Sequence, residues 1–245
     1  MNRGNLLVWQ SASSTHVGRV REINQDACLD LPELGLWAVA DGMGGHEAGE
    51  EASKTIVQQL SHVLPTTNLD EFVQSTIVEL NNANRRLRQA SAENYQHQIV
   101  GSTVAVLLGF ADQCACLWVG DSRIYRLRQG CFTAITHDHT LMQEFLDSGI
   151  DSSEYSDTSS AADTLTRAVG AEDELGVDIR IENMQQGDAF LLCSDGLYKE
   201  VSEDEMANII AAGKPESIVA DLQELALQRE GRDNITLVAV QLAEA

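Results

Sequence analysis

The chain has 245 residues, 43% of them hydrophobic, which is enough for one large core. Its formal net charge of −22 is the wrong sign for nucleic acid or an anionic membrane surface, so neither is expected as a partner. No run of about 18 apolar residues is present to span a bilayer, and residues 1–10, with a single Arg and a short apolar patch, do not read as a signal peptide.

The first strong signal along the chain is a strand at 36–40, short, apolar and followed by Asp-Gly. Ala48, Ala52, Ile56, Leu60 and Leu64 then recur every four residues, which predicts a helix with one slowly rotating apolar face. Residues 69–94 read as a second, long helix. Strands are predicted at 103–110, 114–119 and 124–127, separated only by 111–113 and by 120–123. Links this short favour antiparallel neighbours, because a parallel crossover needs a dozen or more residues. Within 114–119, Cys114 and Cys116 lie two apart and, like the other three cysteines, form no C-x-x-C pair. They read as reduced thiols on one strand face, which points to a cytoplasmic protein.

Residues 151–163 hold five Ser, four acidic residues and no basic one, a composition for a mobile surface loop. A strand follows at 189–193. Ser202 with Glu205 forms a capping box before a helix at 206–212, and Pro215 is placed to open a last helix that stops at Gly231. A final strand spans 235–242. Strands grouped apart from blocks of helix predict an α+β fold, with helices layered on antiparallel sheets.

Four aspartates lie at or near the ends of these strands: Asp41, Asp121, Asp195 and Asp233. Strand ends can aim side chains from distant parts of a chain at one point. Carboxylates gathered there repel one another and need cations, and hard oxygen ligands without Cys or His select Mg²⁺ or Mn²⁺ over zinc. Asp-Gly and Asp-Asn are also ordinary turn dipeptides, so spacing by itself leaves both readings open.

The motifs taken together are more specific. Arg21-x-x-Asn24-Gln25-Asp26, Asp41-Gly42-Met43-Gly44-Gly45-His46, Gly101-Ser102-Thr103, Gly120-Asp121-Ser122-Arg123, Ser194-Asp195-Gly196-Leu197 and Asp233-Asn234-Ile235-Thr236 occur in that order. Thr136-x-Asp138-His139 and the run from Leu165 to Gly170 accompany them. Over about residues 11–242 the chain resembles the type 2C (PPM) metal-dependent protein phosphatases in their compact bacterial form, and around Asp41 and Asp121 it resembles those associated with type VI secretion.

The resemblance implies a single domain over 1–245, a four-layer αββα sandwich of two packed antiparallel sheets, with a flap at about 137–170. It implies hydrolysis of phosphoserine and phosphothreonine in proteins by a hydroxide bridging two Mn²⁺ or Mg²⁺ ions, opposing a Ser/Thr kinase; a monomer is expected. Asp41 would bridge the ions with the carbonyl of Gly42 as a further ligand. Asp195 and Asp233 would complete the first ion's shell, and Asp26, with Gln25, would serve the second. Asp121 with Asp195 would hold a weaker third ion. Arg21 would grip the phosphoryl group through its planar guanidinium; its other reading is a surface arginine. Arg123 would order the carboxylates near Asp121.

Two departures from the family stand out. Met43 occupies the place where larger relatives carry a general-acid His. His46 therefore has two readings, a proton donor to the leaving oxygen or a cap on the helix that follows. The flap, basic and Pro-containing in many bacterial members, is here acidic and Ser-rich. A non-catalytic module on the same fold and a phosphatase of small molecules are the competing functions. An acidic flap should favour phosphopeptides with Arg or Lys beside the phosphoresidue. Replacing Asp151, Glu154, Asp157 and Asp163 with Asn or Gln is expected to erase that preference at low salt while p-nitrophenyl phosphate turnover stays within about twofold. Equal loss on both substrates would put the segment in the catalytic machinery instead.

Overall fold

The computed structural model describes residues 7–44, 47–95, 99–149 and 163–244. In chain order the strands are β1 (Leu7–His16), β2 (Asp26–Leu31), β3 (Leu36–Met43), β4 (Gly101–Ser102), β5 (Val104–Phe110), β6 (Gln113–Val119), β7 (Arg123–Arg128), β8 (Cys131–Ala134), β9 (Asp178–Asn183), β10 (Ala189–Cys193) and β11 (Ile235–Glu244). The helices are α1 (Glu47–Leu60), α2 (Leu69–Asn94), α3 (Leu141–Asp147), α4 (Asp195–Tyr198), α5 (Glu203–Ala212) and α6 (Pro215–Gln228).

One sheet has the order β1-β11-β10-β7-β8 and the other β2-β3-β5-β6-β9, with β4 paired to β3. Neighbours pair antiparallel throughout both sheets. Alternation along each strand divides the side chains between two faces. On β3, Trp37 and Val39 face the other sheet and meet Phe190, Leu192, Val238 and Val240. Leu36, Ala38 and Ala40 face the other way and pack under α1 and α2. On the far side Leu191, Cys193, Leu237 and Ala239 are covered by α4, α5 and α6. The result is the αββα sandwich, and its three apolar layers explain why the central strands read as unbroken hydrophobic runs.

The capping box is present: the Glu205 carboxylate accepts from the Ser202 backbone N–H at 3.0 Å and from its hydroxyl at 2.6 Å. Cys114 and Cys116 are free and fully buried between the sheets. Two sequence expectations change. The runs around 114–119 and 124–127 are not sheet neighbours: β6 lies in one sheet and β7 in the other. Gly120, at φ +99°, turns the chain from one layer to the next, so a short link here crosses the sandwich rather than closing a hairpin. Leu64 does not continue the buried face of α1. The helix ends at Leu60, Val63 takes the next core place, and Leu64 is 74% exposed.

Of the segment expected to form a flap, residues 137–149 and 163–170 are described; 150–162 lie outside the described residues. The two described parts are joined by a bridge between Thr140 and Leu165, and Val169 is bridged to Ser102.

Phe190 is 1% exposed in the layer between the sheets. Phe190→Ala should cost about 3–5 kcal/mol, because the surrounding strands can only partly close the cavity. Urea denaturation measures this; a loss below about 1 kcal/mol would show that the two sheets are loosely packed.

Candidate active site

The ends of β3, β6 and β10 and the turn into β11 meet at one edge of the sandwich. Arg21, Asp41, Gly42, Asp121, Asp195 and Asp233 line a cavity there of about 290 Å³. Asp26 is not among the residues that line it. It is the cross-strand partner of Asp41 in the β2–β3 register and is only 5% exposed. Gln25 also lines the cavity. Gly45 and His46 lie outside the described residues.

The backbone around Asp41 is held from several directions. Its N–H donates to Thr103 Oγ1 at 3.2 Å, and its carbonyl accepts from the Thr103 N–H at 2.9 Å and the Ser102 hydroxyl at 2.9 Å. Thr103 Oγ1 lies 2.7 Å from Ser122 Oγ, which ties the Asp41 strand to the Asp121 turn. The glycine at 42 has a stricter reason than freedom to turn. A Cβ there would lie 2.0 Å from the Gly49 carbonyl oxygen and 2.6 Å from that of Gln25, so only glycine lets α1 and the Gln25 loop close on β3.

Sequence reading gave no individual role to several residues that build this site. Asn234 fastens the loop that carries Arg21 and Gln25: its amide donates to the carbonyls of Val17 (2.9 Å) and Ile23 (3.0 Å), and its oxygen accepts from the Gln25 N–H at 2.8 Å. Ser194 donates to Asp26 Oδ2 at 2.7 Å and accepts from the Thr236 N–H at 3.0 Å. The Tyr198 hydroxyl donates to the Asp121 carbonyl at 3.1 Å, and the Arg123 guanidinium lies 3.8 Å from the centre of the Tyr198 ring. Arg123 itself forks onto Asp138 at 2.7–3.1 Å, so it orders Asp121 through Tyr198 rather than directly. Such contacts join residues far apart in sequence, and only a short-range signal such as Asx-turn chemistry at Asp233-Asn234 hints at them.

Electrostatics at this edge is adverse. Burial first, then repulsion from Asp195 and Asp233, pushes the Asp26 carboxyl up to about 7 against the help of the Ser194 hydroxyl. Asp121 is likewise raised to about 7 by burial and by Asp195 and Asp138. Asp41 opens onto the cavity on one side, yet desolvation and the neighbouring Asp26 and Asp195 carboxylates raise it well above the usual range. Two cations answer part of this charge. Arg21 Nη2 contacts Asp233 Oδ2 at 2.7 Å, and Lys199 Nζ contacts Asp195 Oδ2 at 2.8 Å.

Among the described residues, no three acidic, His or Cys side chains already sit close enough to form a finished metal cage. Asp233 and Asp195 are turned toward their basic partners, as mutually repelling groups should be. The donor set still fits a pair of hard divalent ions. All its ligating atoms are oxygens, three of its carboxylates are strained toward protonation, and buried Asp26 Oδ1 has no hydrogen-bond partner.

Comparison with known proteins identifies the class. The protein phosphatase 2C family model matches residues 15–233. The chain belongs to this family and is a protein serine/threonine phosphatase, a hydrolase that depends on Mn²⁺ or Mg²⁺. It is 40% identical to PppA, a key regulatory component of T6SS in Pseudomonas aeruginosa, with a TM-score of 0.88 over 97% of this chain and 100% of that one. It is 30% identical to the catalytic domain of the phosphatase PstP in complex with two manganese ions, with a TM-score of 0.85 over 98% and 100% of the two chains. The serine/threonine phosphatase Stp of Listeria monocytogenes is 33% identical over 238 residues, 93% of each chain.

Asn234→Ala removes three hydrogen bonds from the partly buried loop beneath Arg21 and should lower stability by about 1–3 kcal/mol. Thermal unfolding of the apo protein reads this directly. A stability change below about 0.5 kcal/mol would mean the loop is held by other contacts.

Proposed function

We propose that Asp41 and the Gly42 carbonyl would help hold both divalent ions, that Asp195 and Asp233 would serve the first, and that Asp26 and Gln25 would serve the second. The observation that carries this reading is the convergence of five aspartates, from β2, the ends of β3, β6 and β10 and the turn into β11, at one sandwich edge with Arg21 beside them. When bound, the ion pair supplies a strong nucleophile at neutral pH and neutralises charge on the phosphoryl group.

The protein's own contribution is binding and placement. Arg21 leaves Asp233 and forks onto two phosphoryl oxygens; its side chain is 53% exposed and therefore free to swing. The Thr103 and Ser102 contacts hold Asp41 in line with the strand, so the carboxylates keep their spacing as a substrate enters. His46 is the candidate donor of a proton to the departing serine or threonine oxygen. The segment 137–170 acts as a flap that selects among phosphoproteins.

Likeness to PppA supports a physiological setting. We infer a role opposite a bacterial Ser/Thr kinase in control of type VI secretion, carried out by a monomer in the cytoplasm. The five free cysteines suit that reducing compartment.

Hydrolysis of a phosphothreonine peptide should require added Mn²⁺ or Mg²⁺ and stop with EDTA; turnover by chelated protein would sink the two-ion site. Asp41→Asn should lower kcat by at least about a hundredfold, since it weakens both ions. Arg21→Ala should instead raise KM by about tenfold and change kcat less. A dead Arg21 variant beside a half-active Asp41 variant would reverse these roles.

A further inference from the structure

Lys199 is a basic group in the cavity wall that the roles above leave unused. Its position is set by local geometry. It follows the one-turn helix α4 four residues after Asp195, and i,i+4 spacing puts the ammonium beside that carboxylate. Lys199 Nζ lies 2.8 Å from Asp195 Oδ2 and 2.9 Å from Asp163 Oδ2, at the return end of the 137–170 segment. Its charge also acts on Asp121, opposing the repulsion that Asp195 exerts there.

We propose that Lys199 is a built-in cation for the outer carboxylate pair, Asp121 and Asp195, so that this chain takes a third divalent ion on that pair only weakly. The inference rests on the reading of the aspartates as the metal site. It gives the weakness of a third ion a cause in this chain's own Lys199 and leaves the core pair in place. Asp195 has two oxygens. Lys199 engages Oδ2, which leaves Oδ1 for the core ions. A third ion would have to break the Lys199 contact and place two positive charges beside the displaced ammonium. Asp163, on the other side of Nζ, keeps that ammonium close by, so the repulsion remains after displacement. In the absence of a third ion the same ammonium fastens Asp163 to the cavity wall.

The test is Mn²⁺ binding to chelator-stripped protein without substrate, read by the electron paramagnetic resonance of free Mn²⁺. Wild type should show two tight sites and a third that is weaker than in Lys199→Met by about tenfold or more. Met keeps the aliphatic stem, and melting curves check that the fold is intact. Lys199→Arg should keep the third site weak. Asp121→Asn in the Lys199→Met background should abolish the gained affinity, which places the ion on the outer pair. Two tight sites with a third equally strong in wild type and Lys199→Met overturn the inference alone, as does an Arg variant that matches Met. No tight Mn²⁺ site in wild type overturns both this inference and the metal reading beneath it.

Discussion

Like charge held at one edge of a packed sandwich governs this molecule. Asp26 and Asp121 are 5% and 7% exposed, and Asp41 is the cross-strand partner of Asp26. A buried carboxylate loses hydration, and each neighbour of the same sign adds to the cost, so the set persists only because the surrounding structure over-determines its position. The cross-sheet core around Trp37 and Phe190 fixes the strands, and the strand ends have nowhere else to go. An arrangement this adverse is one that divalent cations would relieve.

The protein meets part of the charge with its own cations. Arg21 on Asp233 and Lys199 on Asp195 are ion pairs that can be exchanged, since both basic side chains are 42–53% exposed. Elsewhere the pairing is more permanent. Arg123 forks onto Asp138, and Arg128 forks onto Asp188, whose carboxylate is 1% exposed. In a chain with 16 basic and 38 acidic residues, half-buried arginines of this kind place counter-charge where burial makes it count.

The site also depends on close approaches that tolerate no substitution of shape. Gly42 lies against the backbone of Gly49 and Gln25, and Asn234 ties three backbone groups of the Arg21 loop to the turn before β11. These contacts bring the loop after β1 onto the turn before β11. A cavity lined by residues far apart in the chain is thus closed by hydrogen bonds that lie behind its wall.

Much was legible from residue order. The strand at 189–193 and the helix at 69–94 were readable to the residue, because both are strongly patterned and bounded by Asn, Asp or Ser. The motif set identified the family, and it singled out the aspartates that the fold brings to one cavity, because each sits in a short string at or beside a strand end. Strands β1, β2, β8 and β9 were not foreseen: they lie at or next to sheet edges, where half-exposed residues blur the apolar signal. Tertiary structure alone decided that β6 and β7 part company into different sheets, that Asp26 stays behind the cavity wall, and that Lys199 stands between Asp195 and Asp163. Sequence carries local propensity and the identity of chemical groups; which groups meet is set by the packing of layers, a property of the whole chain.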